Sequence, residues 1–375
     1  MNRVPPKLTI PETARPASRA AALSNEAAFS RALLGWYEGN RRSLPWRETG
    51  DPYRIWVSEI MLQQTRVAAA RPFYEEFLRR FPTVSALARA PLRAVLAAWS
   101  GLGYYRRARM LHAAAKQLTR LPQFPRSSVE LEQLPGIGAY TAAAIASIAF
   151  GEPCAAVDGN VERVVARLAG RSISRKQAGR AAQRLVSPSR PGDFNQAMMD
   201  LGAAICTPRA PQCAACPVRS FCRTVGEHKP RPRRPRSRRA VACVLAVRRN
   251  RLLLIRRSDH ESRLAGMWEL PAAVPGTNGR DAASAVLRLR HSILNTDYRV
   301  SVYAMKDRHA ATLAPGARWI SISRLPELPL TGLARKILQR TQLLPSLKLP
   351  SAARLAPAQS KPSVSQSLNP GYLWE

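Results

Sequence analysis

The chain has 375 residues, with 59 lysines and arginines against 24 aspartates and glutamates, which gives a formal net charge of +35. Hydrophobic residues make up 46% of it, which excludes a largely disordered protein, and the length is typical of two to three domains. So basic a chain favours a polyanionic partner, above all nucleic acid. A membrane is not expected as a partner, since no apolar run approaches the ~20 residues of a spanning helix.

The N-terminal half of the sequence has a helical pattern. Residues 1–25 are rich in Pro, Arg and Ala without periodicity and are predicted to be a flexible tail; an organellar presequence is the weaker alternative, given Glu12 and four prolines. From residue 26 to about residue 205, apolar residues recur at three- and four-residue steps, which predicts about ten short helices.

Residues 134–141, LPGIGAYT, lie between two predicted helices. Gly136 and Gly138 allow a tight turn and leave backbone N–H groups accessible to a phosphate at the start of the second helix. For this pattern alone an ordinary turn would be favoured. The net charge and the cysteines about seventy residues later favour a helix-hairpin-helix DNA clamp instead.

Four cysteines follow within 17 residues, spaced C-x6-C-x2-C-x5-C: Cys206, Cys213, Cys216 and Cys222. Intervening Pro and Arg residues make core packing a poor explanation, so we interpret the run as a ligand set. Disulfides are disfavoured in a long chain that is otherwise poor in cysteine and has no visible secretion signal. Structural zinc is the second choice, because zinc sites usually have two close C-x2-4-C pairs and this run has one. A [4Fe-4S] cluster, which four thiolates can bind, is preferred.

The C-terminal part of the sequence has a different pattern. Residues 229–239, KPRPRRPRSRR, are predicted to form an extended basic linker. Residues 240–342 contain strand-like runs (AVACVLAVRR, RLLLIRR, YRVSVYAM, ARWISI) and one predicted helix, SAVLRLR, which together indicate an α+β domain. Residues 343–375 lose periodicity and are predicted to be a disordered tail.

Several motifs together resemble the adenine DNA glycosylase (MutY) family of the helix-hairpin-helix superfamily, which includes endonuclease III. They are LPWR, SEIMLQQTRV, GLGYYRRAR, LPGIGAYTA, VDGNVERVVAR, FNQAMMDLGAAICT and the cysteine run. The resemblance is strong over residues 26–225 and weaker through RLAGMWELP and RWISISRLPELPLTGLARKIL. It implies an all-α helix-hairpin-helix glycosylase domain (26–228) with a [4Fe-4S] loop (206–222), followed by an α+β Nudix-like domain (240–342).

Two carboxylates are candidates for the chemistry of N-glycosidic hydrolysis, which needs an acid for the leaving base and a negative charge for the cationic sugar. Glu59 lies in an apolar helix, IWVSEIML, where burial raises the pKa of a carboxyl and suits it to donate a proton. Asp158, in VDGN, is a helix cap by position alone. The resemblance implies that Glu59 protonates adenine at N7 and later handles water, and that Asp158 stabilises the sugar intermediate with Asn160 nearby.

Tyr140 separates two kinds of enzyme. Relatives that also cleave the DNA backbone have a lysine two residues after the second hairpin glycine, whose amine attacks C1′ to form a Schiff base. Here that position is Tyr140, and no lysine occurs between Lys116 and Lys176. The sequence therefore predicts a monofunctional glycosylase.

Base removal from a duplex requires extrusion of the target nucleotide. Gln63 and Gln64 can read base edges, and Leu102 and Tyr104 can wedge between bases, although helix packing is the alternative for these two. The resemblance places Gln64 and Tyr104 against the strand with the partner base. The residues that it places in the adenine pocket are Trp46, Arg47 and Gln196.

The C-terminal domain lacks the acidic Nudix box after Gly266, so nucleotide hydrolysis is not expected. In the family this domain recognises 8-oxoguanine, with a loop that often reads Phe-Ser-His. Here Ile293, Leu294 and Asn295 stand at those positions, and Ser292 or Asn295 are the candidates to replace the missing serine and histidine.

These features predict a monomeric, cytoplasmic enzyme, associated with the nucleoid if the source is a bacterium, that removes adenine mispaired with 8-oxoguanine or guanine in double-stranded DNA. An endonuclease III-like glycosylase and lyase acting on oxidised pyrimidines is the first alternative, which Tyr140 and the extra C-terminal domain disfavour. A non-catalytic iron-sulfur DNA-binding protein is the second, which Glu59 and Asp158 disfavour.

Overall fold

The structure is a computed structural model that describes residues 16–227, 235–261, 263–273, 285–293, 295–305 and 316–345, with side chains from residue 25 onward. The chain forms two compact units, each built from two segments. The first unit comprises residues 1–63 and 120–234, and the second comprises residues 64–119 and 235–375.

Helices account for most of residues 16–200, and the periodicity predicts them from residue 26 onward. They are α1 (Pro16–Asn40), α2 (Pro52–Leu62), α3 (Val67–Arg80), α4 (Val84–Arg89), α5 (Leu92–Ala98), α6 (Arg106–Leu118), α7 (Ser128–Glu132), α8 (Ala139–Phe150), α9 (Gly159–Ala169), α10 (Arg175–Leu185) and α11 (Pro191–Asp200). A π-helical turn, Leu201–Ile205, continues α11, and short 3-10 turns lie at Pro45–Arg47, Cys213–Ala215 and Arg219–Phe221.

The flexible tail predicted for residues 1–25 was wrong from residue 16 onward, because α1 begins at Pro16. Proline is well suited to the first turn of a helix, where its missing N–H removes no hydrogen bond. The next residues, ASRAAA, are rich in alanine, the best helix former.

The first unit has a core in which α1 packs against α10 and α11. Phe29 and Leu33 of α1 are fully buried, and the ring of Phe29 lies 5.6 Å from that of Phe221. Cys206, Cys216 and Cys222 pack against this same core. The cysteine segment is therefore part of the folded unit.

The hairpin between α7 and α8 also belongs to the first unit. A capping box between Ser127 and Glu130 fixes the start of α7. Gly136 has φ of 78°, which favours glycine, whereas Gly138 is the extended N-cap of α8, with φ of −99° and no side-chain cap. The first N–H groups of α8 thus have no side-chain cap.

The second unit combines α3–α6 with the C-terminal strands. These are β1 (Ser237–Leu245), β2 (Val247–Arg248), β3 (Arg251–Arg256), β4 (Trp268–Glu269), β5 (Leu287–Ile293), β6 (Thr296–Ala304) and β7 (Ala317–Ser321), followed by α12 (Gly332–Arg340). One sheet has the order β1-β6-β5, with β1 and β6 parallel, and in the other β3 pairs with β2, β4 and β7. The α+β class predicted for this region is confirmed.

The predicted division into domains differs from these units, because helices α3–α6, expected in one helical domain of residues 26–228, fall in the second unit. The hydroxyls of Ser100 and Tyr105 both donate to the carbonyl oxygen of Leu330, at 2.9 and 3.0 Å. These bonds join segments that are far apart in sequence. Periodicity within one segment cannot predict contacts of this kind.

Three local predictions in the C-terminal region were wrong. SAVLRLR was expected to be a helix, but β5 begins at Leu287, where leucine and arginine alternate with the period of a strand. The linker predicted for residues 229–239 ends earlier, because β1 begins at Ser237, after the last proline of that run. Leu343 and Leu344 pack onto the C-terminal core, so the predicted disordered tail does not begin at residue 343.

Among the helices that the structure describes, none combines the length and the apolar composition of a membrane-spanning segment.

Candidate active site

Glu59 projects from α2 into the first unit and is only 7% exposed. The helix begins at Pro52, where the Asp51 side chain accepts a hydrogen bond from the backbone N–H of Tyr53. Helical spacing buries Trp56 and Ile60 together with Glu59. A carboxyl is therefore held in a largely apolar setting, as the sequence predicts.

The hydroxyl of Tyr140 donates a hydrogen bond to Oε2 of Glu59 at 2.8 Å. Burial raises the pKa of Glu59 to about 7; the Tyr140 bond and the charge of Arg47 lower it, while the charge of Asp158 raises it. Burial also raises the pKa of Tyr140 well above its usual value, so the phenol remains a donor. Glu59 is poised to exchange a proton near neutral pH.

Asp158 is the N-cap of α9 and also acts on Glu59. Its Oδ1 accepts from the backbone N–H groups of Asn160 and Val161, each at 2.8 Å, and its Oδ2 accepts from the Asn160 amide at 3.0 Å. Its charge contributes to the raised pKa of Glu59. The sequence left two roles open for Asp158, a helix cap or a catalytic carboxylate. The geometry is compatible with both, because the capping bonds hold the carboxylate where its charge acts on Glu59.

Asn160 is held in turn by Arg163, whose guanidinium donates to Asn160 Oδ1 at 2.9 Å. The same guanidinium donates to the carbonyl oxygens of Gly202 at 2.6 Å and Cys206 at 2.9 Å. A Cβ at Gly202 would lie 2.7 Å from that of Asn160, so glycine allows the π-helical turn to approach α9. A continuous set of hydrogen bonds therefore joins Asp158 to the start of the cysteine segment.

Arg47 lies near Glu59 and is anchored by Asp200, which is 3% exposed. Arg47 Nη1 donates to Asp200 Oδ2 at 2.7 Å, while Arg42 pairs with Oδ1 of the same carboxylate. Burial tends to lower the pKa of Arg47, but its bond with Asp200 and the nearby charges raise it overall. A positive charge is thus fixed beside the candidate acid.

Comparison with known proteins identifies the family. Residues 57–188 match the HhH-GPD superfamily of base excision DNA repair proteins. The adenine DNA glycosylase of Rattus norvegicus is 34% identical, over 80% of this chain and 75% of the rat protein, and that of Arabidopsis thaliana is 39% identical, over 64% of this chain and 47% of the plant protein. The chain belongs to the adenine DNA glycosylase family. The solved structure of a thermostable thymine-DNA glycosylase, 30% identical, also aligns with 55% of this chain and 98% of its own length, with a TM-score of 0.52, and it shares the helical glycosylase fold.

The other predicted residues of this family member lie in both units. In the first, Trp46 is buried, Gln196 is half-buried on α11, and Gln63 Nε2 donates to Thr141 Oγ1 at 3.2 Å. In the second, Gln64 and Tyr104 both have positive φ, and Tyr104 is 41% exposed whereas Leu102 is 8% exposed. Of the two predicted wedges, the tyrosine is partly exposed and the leucine is buried.

Ser292 and Asn295, the two candidate lesion readers, lie at the β5–β6 hairpin. The Ser292 hydroxyl donates to Asp297 Oδ1 at 2.6 Å, and the Asn295 amide nitrogen donates to the carbonyl oxygen of Pro235 at 3.0 Å. Both residues are exposed, whereas Leu294 lies outside the described residues. Each side chain is therefore oriented by a second residue.

All four cysteines of the predicted ligand set are free thiols and half-buried. Burial raises the pKa of Cys216 to about 11; a backbone hydrogen bond at Val218 lowers it, and the charges of Cys206, Cys213 and Cys222 raise it. Arg167 Nη1 donates to Cys206 Sγ at 3.2 Å, and the backbone N–H of Val225 donates to Cys222 Sγ at 3.5 Å. Within the described residues no group of three or more His, Cys, Asp or Glu side chains is already arranged around a metal position. The residue types and the donors to sulfur fit a thiolate-bound group.

Three positioning residues had no role in the sequence analysis. The buried amide of Asn195 bonds to Ser147 Oγ, the Cys154 carbonyl oxygen and the Ala156 N–H, at 2.8 to 3.0 Å, and so fixes the segment that leads into Asp158. Gln183 binds the same segment through Pro153 and Ala155. Asp200 is the third. A single acidic residue within the apolar run MMDLG is the sequence feature that could have indicated a buried, paired carboxylate.

Proposed function

We propose that this chain is a monofunctional DNA glycosylase that hydrolyses the N-glycosidic bond of adenine mispaired with 8-oxoguanine or guanine in double-stranded DNA. The observation that carries the proposal is the buried Glu59, whose pKa is raised to about 7 and which accepts a hydrogen bond from Tyr140 within the electrostatic range of Asp158. An acid and a fixed carboxylate are the two groups that this reaction needs.

Glu59, protonated near neutral pH, donates its proton to N7 of the extruded adenine and makes the base a better leaving group. As the bond breaks, positive charge develops on the sugar, and the Asp158 carboxylate stabilises it. Because Asn160 and two backbone N–H groups already orient that carboxylate, little reorganisation is needed. Glu59, now ionised, accepts a proton from the attacking water.

Tyr140 supports hydrolysis without strand cleavage. Its hydroxyl is bonded to Glu59 and has no amine character, so it cannot form the Schiff base of a lyase. Borohydride reduction during turnover should therefore trap no enzyme on DNA, whereas an endonuclease III-like lyase would be trapped in high yield. Efficient trapping would contradict the monofunctional assignment.

DNA binding would use the hairpin before α8. Gly138 has open space around the position of a Cβ, and α8 begins without a side-chain cap, so its first N–H groups and its dipole are available to a phosphate. Arg209, Arg219 and Arg223 of the cysteine segment are exposed and add positive charge. These features fit a double-stranded DNA substrate.

The four cysteines Cys206, Cys213, Cys216 and Cys222 would hold a [4Fe-4S] cluster. When bound, the cluster cross-links the segment and supplies no step of the hydrolysis. The competing zinc assignment predicts one zinc and no sulfide in the purified protein. Measurement of iron, sulfide and zinc content decides between the two.

The C-terminal α+β region would act as a Nudix-like reader of the partner base. Guanine and 8-oxoguanine differ at N7, which is a donor only in the oxidised base, and the Asn295 amide oxygen or the Ser292 hydroxyl could accept from it. Asn295→Ala and Ser292→Ala are the tests. An unchanged preference for 8-oxoguanine over guanine in both variants would exclude both residues.

Single-turnover excision is the central experiment. The substrates are matched duplexes with adenine opposite 8-oxoguanine, guanine or thymine, and one with an oxidised pyrimidine. We expect excision opposite 8-oxoguanine and guanine only, and its loss by at least about a hundredfold in Glu59→Gln, the loss typical for removal of a general acid. Release of the oxidised pyrimidine instead would favour the endonuclease III-like alternative. Binding without excision of any base would favour a non-catalytic protein.

A further inference from the structure

Two loops of the second unit hold non-glycine residues in the left-handed region of the backbone. Gln64 has φ of 56° and Tyr104 has φ of 50°. Such conformations are strained for L residues and persist where the surrounding contacts impose them. The family resemblance places these same two residues against the strand that carries the partner base.

One side chain contacts both loops. Arg107, in the first turn of α6, donates from Nη2 to Thr65 Oγ1 at 3.2 Å and to the carbonyl oxygen of Gly103 at 3.1 Å. Thr65 directly follows Gln64, and Gly103 directly precedes Tyr104. The guanidinium therefore bonds to the neighbour of each strained residue.

The aromatic contacts of Arg107 reinforce this arrangement. Its guanidinium carbon lies 5.4 Å from the centroid of the Tyr104 ring and 5.5 Å from that of Trp99, both within the range of cation–π attraction. Trp99 Nε1 also donates to the Gly103 carbonyl oxygen at 3.1 Å. Tyr104 nevertheless remains 41% exposed, so part of its ring is accessible to a base.

We propose that Arg107 is a positioning residue that fixes Gln64 and Tyr104 in the conformations in which they engage the strand opposite the target adenine. This inference rests on the proposed function, because it is the resemblance to DNA glycosylases that places the two residues against DNA. Loss of Arg107 then impairs extrusion of adenine, while the hydrolytic residues of the first unit stay intact. Lysine is a poor substitute, since its compact ammonium lacks the delocalised, planar guanidinium that Arg107 places over the rings of Trp99 and Tyr104.

Base extrusion provides a readout that is independent of hydrolysis. In the Glu59→Gln background, a duplex with 2-aminopurine in place of the target adenine, opposite 8-oxoguanine, reports unstacking as increased fluorescence on binding. We expect Arg107→Gln to reduce this increase at least fivefold and Arg107→Lys to restore little of it. Arg106→Gln, which removes the same charge from the exposed neighbouring residue, should leave the increase unchanged. Equal effects of the Arg106 and Arg107 variants would overturn the proposal.

Excision kinetics separate positioning from general damage. On adenine opposite 8-oxoguanine, Arg107→Gln should lose at least tenfold in single-turnover rate. On a duplex whose adenine faces an abasic site, and which therefore offers no partner base to contact, it should lose less than threefold. Equal losses on both duplexes would refute the inference, whereas absence of excision by the unsubstituted protein would refute the proposed function itself.

Thr65→Val tests the hydrogen bond between Arg107 and Thr65 by removing its acceptor. It also keeps the proposal testable if Arg107→Gln does not fold. It removes one of the hydrogen bonds of Arg107 without changing the charge or size of the site. We expect a smaller loss of the fluorescence increase, and no further loss when Thr65→Val is added to Arg107→Gln, because the contact is already absent. Full retention of extrusion in Thr65→Val, or additive losses in the double variant, would contradict the proposed link.

Discussion

The hydroxyl of Tyr140 and Oε2 of Glu59 are 2.8 Å apart, with the phenol as donor. The bond is favourable to the ionised carboxylate, so it lowers the pKa of Glu59 against the larger opposing effect of burial. The result is a pKa of about 7. Tyr140 thus lowers the pKa of the candidate acid, and it occupies the position at which the resemblance places the lysine of a lyase.

The pH dependence of excision follows from this pair. The single-turnover rate should fall as the pH rises through about 7, because Glu59 loses the proton that it donates. Tyr140→Phe removes the bond that lowers the pKa, so the decline should begin at a higher pH. A rate profile from pH 5 to 9 for both proteins is the measurement, and a decline that begins at the same or a lower pH in the variant would contradict this assignment.

Glu59 should also make the stability of the protein depend on pH. Its pKa is raised from 4.5 to about 7 in the folded state, so the folded chain retains a proton that the unfolded chain has lost. The stability that this proton contributes is fully present below pH 4.5 and is lost as the pH rises through about 7. Glu59→Gln should therefore be more stable than the unsubstituted protein near pH 8, by on the order of 3 kcal/mol, and similar to it near pH 4.5. Urea unfolding at both pH values tests the sign, and a variant that is less stable near pH 8 would contradict it.

Asp200 is expected to be essential for stability because it is buried between two arginines. Asp200→Asn would leave Arg47 without its carboxylate partner and should cost about 3–5 kcal/mol. Asp193→Asn is the matched control on the same helix, since the side chains of Asp193 and Arg190 are 35% and 40% exposed and their pair should contribute less than about 1 kcal/mol. Comparison of the urea unfolding midpoints is the test, and equal shifts would mean that burial does not decide the contribution of the pair.

Features that depend on local sequence were predicted well. Helical periodicity predicted the helical character of residues 26–205, and the apolar surroundings of Glu59 in the sequence indicated its burial. The VDGN motif predicted Asp158 as a helix cap, whereas the catalytic role proposed for it comes only from family resemblance. SAVLRLR shows the limit of local patterns, because leucine and arginine in short alternation fit a helix as well as a strand until pairing with β6 decides between them.

Features that depend on contacts between distant segments were missed. Asn195 bonds to Ser147, Cys154 and Ala156, which lie between 39 and 48 residues away in sequence. The bonds of Ser100 and Tyr105 to Leu330 span 230 and 225 residues. Such partners are determined by tertiary packing, and no spacing rule within one segment contains them.

Arg167 is expected to control the order of the cysteine segment. It is 3% exposed and donates to Cys206 Sγ, to the Thr207 carbonyl oxygen at 2.7 Å and to the Pro208 carbonyl oxygen at 3.2 Å. Arg167→Met keeps much of the buried volume but removes every donor, so the backbone amides of residues 206–225 should exchange hydrogen at least tenfold faster. Arg171→Met, at an exposed position just after α9, is the control. Unchanged exchange in Arg167→Met would mean that the segment is held by its apolar contacts alone.

Arg290 and Arg299 stand directly opposite each other on β5 and β6, and both are exposed. Like charges at paired positions destabilise a sheet, and the neighbouring Arg288 differs because it pairs with Ser301. Arg299→Thr should therefore stabilise the protein by about 0.5–1 kcal/mol at low ionic strength, an advantage that salt should reduce because it screens exposed charges. Arg288→Thr should give a smaller gain, since it relieves no direct cross-strand repulsion. Unfolding of both variants at two salt concentrations tests the assignment. If the two gains are equal, or if the gain from Arg299→Thr does not change with salt, the effect arises from the strand preference of threonine and not from repulsion between the two arginines.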